Sequence, residues 1–424
     1  MAQVPDSTRG MHAGPLAASA GRLSYLDWLR FLVVLSLAPF HAALSYTGMG
    51  VVYVYDTPIR DLFLSGVFPQ NAGPFAMRIF TIFMDNWFMH LLFMVSGVAA
   101  ASSLRKRSAA QFVGERANRL LLPLLLGTLF VISIQSWLRA LSFGRFSGGF
   151  FSFYPHFFHG INAGPTSTGN LDYGQLWFLL YLFVFSLLAL PLMIAVKRRG
   201  DSSAFVAAAR RLSRGALVLI PAIWIAILEG AFRPGWPGFQ NLVNDWANFT
   251  VYLSFFVFGY AAGTARDLLE AMERNRHAAL ALGLLAFAAR LAVYRIVPVP
   301  PGYNAAQIAT HALRGAAALG LVVAAMGYGR RHLNRESRAL SVARNLAFPL
   351  YVLHFAPLSA ATWLLLGTGL GVWARWGISV AASWVTVAIF TFVARYIPFL
   401  RDVLGVSPGR LWKAGAQPSR ALPR

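Results

Sequence analysis

Apolar stretches of about 20 residues, separated by short segments rich in arginine, run through most of the chain, and most are apolar around the whole helical circumference rather than along one stripe. A segment of that kind buries against lipid and other helices, so the pattern predicts an all-α, polytopic membrane helix bundle. The stretches fall at roughly 25–46, 85–104, 120–138, 176–196, 215–232, 248–265, 277–297, 306–328, 346–368 and 376–397, which predicts ten transmembrane helices. The expected organisation is a disordered cytoplasmic N-terminal tail over 1–23, a ten-helix domain over 24–398 and a basic cytoplasmic C-terminal tail over 399–424. The segment that follows the N-terminal tail is too long for a cleavable signal core and is expected to remain as a signal anchor.

The basic residues are distributed unevenly between alternate connections. With the N-terminus inside, 27 of the 37 Lys and Arg lie on the inner side, and the outer connections hold only Arg60, Arg78, Arg139, Arg145, Arg233, Arg295 and Arg375. Positive charge is retained on the cytoplasmic side during insertion, so both termini are expected there. This distribution also explains the net charge of +22 without nucleic acid: the charges sit in short loops between spans, not on one basic face. Cysteine is absent, which excludes disulfides, thiolate metal sites and cysteine nucleophiles.

The first span, YLDWLRFLVVLSLAPFHAALSY, carries two ionisable residues that a simple anchor would not tolerate. Arg30 and His41 are eleven residues apart, three helical turns, so they share one face and stand about 16 Å apart along the axis. That places Arg30 near the inner surface and His41 deep in the membrane. An ionisable group at such depth faces a protein interior or a wet cavity, and Pro39 loosens the backbone just before His41. The same residues also fit an interfacial Arg30 and a His41 that bonds a neighbouring helix.

Further ionisable residues fall within or beside spans: Asp85, His90, Glu229, Arg290, His311, Arg314 and His354. Pairing of Arg290 and Arg314 with Glu229 and Asp85 is the expected arrangement for those four, with substrate binding as the other use of the group. Arg116 and Arg119 precede the third span three residues apart, on one helical face at the inner surface, where guanidinium forks suit phosphate oxygens; anionic lipid headgroups satisfy the same geometry. The outer loop 139–175 contains FFSFYPHFFHG. Its Phe151, Tyr154, Phe157 and Phe158 offer flat apolar faces that suit a sugar acceptor or an interfacial aromatic belt. His156 and His159 have a metal-compatible spacing but no further ligand nearby, and no metal site is expected.

Taken together, these residues resemble the integral-membrane acyltransferase 3 family, which includes O-acetyltransferases of surface polysaccharides and succinyltransferases of periplasmic glucans. Arg30 and His41 match its Arg, ten residues, His signature, and Arg116 and Arg119 its Arg-x-x-Arg element, in ERANRLLLP. FMVSGVAA at 93–100, LWFL at 176–179, FVFGY at 256–260 and FPLYVLH at 348–354 resemble its patterns in helices two, four, six and nine, so the likeness runs from about residue 23 to about residue 400. Trp28 and Phe31 stand where glycines are common in the family, a departure closer to the glucan-modifying branch. No hydrolase-like extracellular domain is expected after helix ten.

The resemblance implies an O-acyltransferase in a bacterial-type inner membrane that moves an acetyl or succinyl group from a cytoplasmic acyl-CoA to a hydroxyl of an envelope glycan. Acyl-CoA is then a co-substrate, with no resident cofactor, and the expected partners are acyl-CoA, the glycan acceptor and the bilayer. His41 is the implied catalytic residue, as general base or through an acyl-histidine, with Arg30, Arg116 and Arg119 on the donor. His90, His354, Arg314 and Glu229 are the remaining candidates within the membrane. A transporter or flippase for a lipid-linked or small polar substrate is the competing reading. Prolines within spans and buried charges suit it, but no internal repeat relates two halves of the chain.

Overall fold

The computed structural model describes residues 23–47, 54, 72–162, 169–238 and 240–406, so residues 1–22 and 407–424 of the expected tails and the greater part of the loop after the first helix lie outside it. Apart from an isolated bridge between Ile161 and Leu171, the regular structure of the described residues is helical. The chain folds as a polytopic helical membrane bundle. Hydrocarbon offers backbone groups no partners, and helices satisfy them within each segment.

α1 (Ser24–Thr47) is a continuous helix that includes Pro39. α2 (Ala72–Asp85) and α3 (Phe88–Arg105) meet at Asn86 and Trp87 and form one long helical unit, 73–105. The second helix was expected to start at residue 85. Asn71, Gly73, Pro74 and Arg78 dilute the apolar signal of its first half, which nevertheless folds as helix. α4 (Ala109–Arg116), α5 (Leu122–Gly127) and α6 (Ser133–Ser142) are joined by wide π-helical turns at Ala117–Leu121 and Thr128–Ile132. Arg116 and Arg119 therefore lie inside this long helix rather than ahead of it.

α7 (Trp177–Leu188) and α8 (Leu190–Arg199) belong to a pair bent by 48°. α9 (Ala204–Leu212) lies at 110° to the helix that ends in α10 (Pro221–Phe232). α11 (Trp246–Thr264), α12 (Arg266–Arg274), α13 (Arg276–Ile296) and α14 (Ala305–His332) follow. α15 (Arg338–Leu353) and α16 (Phe355–Leu365), expected as one helix, are bent by 57° at His354. α17 (Val372–Ala394) and the short α18 (Pro398–Val403) end the described chain.

Among the described residues six helices are long and apolar enough to cross a membrane, or nine if each of the three bent pairs counts as one span. The expected sixth helix, 248–265, corresponds to α11, which is not among them. Instead α11 is pressed against α3 so closely that a Cβ on Gly97 would stand 2.0 Å from the carbonyl oxygen of Phe256, and one on Gly259 2.0 Å from that of Met94. Such small-residue crossings let helix backbones touch, and here they set the centre of the bundle.

Contacts between loops sort the connections into two ends. At one end, Lys197 Nζ donates to the carbonyls of Leu104 and Arg107, Arg274 to Ser213, Asn275 to Gly215, and Arg330 to Glu273. At the other, Arg78 donates to the Thr47 carbonyl, Tyr303 to that of Ala231 and Tyr173 to that of Gln240, while Arg375 covers the Tyr46 ring. None of these contacts joins an expected inner connection to an expected outer one. If the basic end is cytoplasmic, a single cysteine at Asn334 will react with an impermeant thiol reagent only after permeabilisation, and one at Ser152 will react in intact cells. Both positions are exposed, the native chain has no cysteine, and Asn334 leaves the helix cap at Ser337 in place. The reverse pattern would invert the orientation.

Candidate active site

α1 delivers the two residues of the helix-one signature to different environments. Arg30, near the basic end, donates to Asp27 one turn earlier at 3.3 Å. Asp27 also accepts from Arg344 at 2.7 Å, and Arg344 forks onto Glu336 through two bonds of 2.8 Å. Arg116 lies within electrostatic reach of Arg30, Arg107 and Glu115, and its guanidinium covers the Phe112 ring at 5.1 Å. The structure thus gathers Arg30 and Arg116 at one end.

It does not keep Arg119 on the same face. Arg119 is 76% exposed and pairs with Glu115 at 3.2 Å, whereas Arg116 is half-buried. The π-helical turn that begins at Ala117 holds more residues than an α-turn, so three residues no longer return to the azimuth that α-helical spacing implies.

His41, three turns further along α1, is half-buried and its Nδ1 is buried without a partner. Its ring lies 5.3 Å from that of His354 at 30° and 4.3 Å from that of Phe355 at 22°. Trp376 Nε1 donates to the Pro39 carbonyl at 3.0 Å, tying the loosened turn to α17.

His354 occupies the bend between α15 and α16. Pro357 cannot donate to the Leu353 carbonyl, so helical bonding lapses there. The His354 ring turns back onto the preceding turn: its Nδ1 is 2.8 Å from the Leu350 carbonyl and 3.1 Å from that of Tyr351. Carbonyls only accept, so Nδ1 carries the proton and Nε2 holds a lone pair. Nε2 is buried with no partner.

Two glutamines that the sequence reading passed over also carry orphaned groups. Gln175 donates to the Val352 carbonyl at 3.1 Å and its own backbone carbonyl accepts from Tyr351 at 2.5 Å, which leaves Gln175 Oε1 without a partner. On α6, which packs on α16, both polar atoms of the buried Gln135 lack partners. Lone glutamines inside apolar runs, SIQSW and YGQLW, were the available signal. Buried polar groups are nearly always paired, so orphans on elements that converge beside His41 and His354 make this the candidate place to meet a ligand or water. His90 is a further case. Both its nitrogens are orphaned between the rings of Tyr252 and Phe255, at 4.9 and 5.0 Å.

A separate ionic network lies toward the opposite end. Glu229, 1% exposed, receives both Arg233 Nε and Nη2 at 2.9 and 2.8 Å and Arg314 Nη1 at 2.9 Å; Arg314 Nη2 reaches Asp85 at 3.1 Å. The expected pairing of Arg314 with Glu229 and Asp85 is present. Arg290 is placed differently: it donates to Asn86 Oδ1 at 3.5 Å, and Arg233 takes the place assigned to it. The i, i+4 spacing of Glu229 and Arg233 carried that signal. His311 borders this network rather than the site at His41.

In the loop after α6, Phe153 and Phe157 are buried against Ala140, so Phe157 cannot border an acceptor, whereas Phe151 is 90% exposed. His156 and His159 meet edge to face at 5.2 Å. Among the described residues no group of three or more His, Asp or Glu side chains could hold a metal ion.

Removal of one partner from a buried ion pair leaves the other charge uncompensated, which costs about 3–5 kcal/mol. Arg314→Ala is therefore expected to lower the melting temperature of the detergent-solubilised protein sharply, whereas Arg119→Ala, at an exposed pair worth about 0–1 kcal/mol, leaves it almost unchanged. Equal melting temperatures for the two variants would remove the network from the stability of the fold.

Comparison with curated proteins and with solved structures gives no match. A family model described as an acyltransferase domain matches residues 23–395, from the start of α1 to the end of α17. The match spans well over half of the chain and takes in every helix that carries the orphaned groups beside His41, and so the protein belongs to the acyltransferase 3 family, a membrane-embedded acyltransferase that transfers groups other than amino-acyl groups.

Proposed function

We propose that the protein takes an acyl group, acetyl or succinyl, from acyl-CoA at the basic, cytoplasmic end of the bundle and transfers it to a hydroxyl of an envelope glycan in the inner membrane. The observation that carries this reading is the division of labour along α1. Arg30, in reach of Arg116, stands at one end, and a half-buried imidazole stands three turns deeper on the same face.

Five guanidiniums, Arg30, Arg107, Arg116, Arg119 and Arg344, stand near three carboxylates, Asp27, Glu115 and Glu336, at that end, an excess of positive charge suited to the phosphates of CoA. The pantetheine arm, roughly 15–20 Å when extended, then spans the about 16 Å between Arg30 and His41. At His41 the acceptor oxygen attacks the thioester carbonyl as Nε2 takes the hydroxyl proton. Collapse of the tetrahedral adduct breaks the C–S bond, and the imidazolium returns the proton to the leaving sulfur. The products are the ester and CoA, with His41 restored.

His41→Asn keeps a polar side chain but cannot take a proton near neutral pH, so it is expected to lower turnover by about two to four orders of magnitude while acyl-CoA binding persists. Near-native acylation of glycan hydroxyls by this variant, followed by mass spectrometry, would end the catalytic claim. Arg116→Ala is expected to weaken acyl-CoA binding by about 1.5–3 kcal/mol with partial rescue by Lys, which lacks the planar fork. The exposed Arg119 should matter less. Unchanged CoA affinity in Arg116→Ala would return this end to lipid headgroups.

A further inference from the structure

Two nitrogens on neighbouring rings lack partners: His41 Nδ1 and His354 Nε2. Their ring centroids are 5.3 Å apart with the planes 30° from parallel. The rings are stacked rather than edge to edge, so a bond between these nitrogens requires the His41 ring to turn; at this separation an edge-to-edge arrangement would bring them to about 3 Å, the length of one hydrogen bond. The bond is not formed in the structure, but it is the one contact that would satisfy both orphans at once.

Its direction is already decided. His354 Nδ1 must donate to Leu350 and Tyr351, so His354 Nε2 can only accept. The backbone holds that ring firmly. His354 sits at the 57° bend, its amide donates to the Leu350 carbonyl at 3.1 Å, and its carbonyl accepts from Ser383 on α17 at 2.7 Å and from the Leu358 amide at 3.2 Å. His41 is the freer partner, half-buried and beside a proline, so its ring can turn to meet a fixed acceptor.

We infer that His354 is a positioning residue: its Nε2 accepts a hydrogen bond from His41 Nδ1–H during the reaction, which fixes the His41 tautomer and leaves His41 Nε2 as the only basic atom facing substrate. The chain then reads Leu350 carbonyl, His354, His41, acceptor hydroxyl. No proton passes from His41 to His354, because a hydrogen bond suffices to orient the ring and to stabilise the imidazolium that forms when His41 takes the acceptor's proton. The bend in α15–α16 thereby gains a chemical purpose: it carries the His354 ring with Nδ1 on the Leu350 and Tyr351 carbonyls and its acceptor edge fixed.

This inference rests on the proposed role of His41, and its test separates the two. In protein labelled with nitrogen-15 in its nine histidines, with acyl-CoA bound, long-range proton–nitrogen spectra should show His41 protonated at Nδ1, its signals identified by their loss in His41→Asn. His354→Leu should abolish that preference and lower kcat by about two orders of magnitude or more, with the KM for acyl-CoA unchanged. His354→Gln, whose amide oxygen can stand near the position of Nε2, should recover both the tautomer and at least a tenfold part of the lost kcat. An unchanged His41 tautomer in a folded His354→Leu, or equal kcat in the Leu and Gln variants, overturns the positioning role. If His41→Asn is active while the His354 variants behave as expected spectroscopically, the failure lies in the catalytic reading of His41 and not in the bond between the rings.

Discussion

A carboxylate buried in the membrane end of a helix bundle dictates what may surround it. Glu229 on α10 reaches no solvent, and it is tolerable only because Arg233 from its own helix and Arg314 from α14 both bond it, with Asp85 of α2 holding the other side of Arg314. Three segments distant in sequence are tied at one point, and none can shift without exposing a charge to hydrocarbon. The loops at that end are short of cations, so the network accounts for much of what positive charge there is. It leaves the long helices free to carry unpaired polar groups elsewhere.

Unpaired groups occur on several elements. The donors that bond Glu229 are matched to it, while atoms without partners sit on α1, on α6, just before α7 and at the bend of α15 and α16, and also on His90, Arg290 and His311 at the border of the ionic network. A fully satisfied polar cluster rigidifies; a partly satisfied one waits for something to bind. Burial alone does not tell a paired group from a waiting one, because Glu229 and His354 are equally hidden from solvent.

Apolar length gave the bundle and most of its helices, and the Arg30 to His41 spacing pointed to the site. What escaped has physical causes. Apolar windows could not register the first half of the second helix because proline, glycine and arginine dilute it, although tertiary packing still makes it helical. The shared face of Arg116 and Arg119 failed because ideal α-helical spacing does not anticipate a π-helical turn. The exchange of Arg290 for Arg233 reflects a bias toward distant pairings where a local one was available. Gln135 and Gln175 were invisible because a neutral amide in an apolar run is read as noise until its lack of partners is seen in three dimensions.

The backbone contact between α3 and α11 has a mechanical consequence. Where Gly97 and Gly259 let main chains touch, no side chain remains to tilt, compress or change rotamer, so the two helices behave as one stiff plate. With that pair fixed, any give in the bundle is left to the weaker points of other helices, such as Pro39 within α1 and the 57° bend at His354.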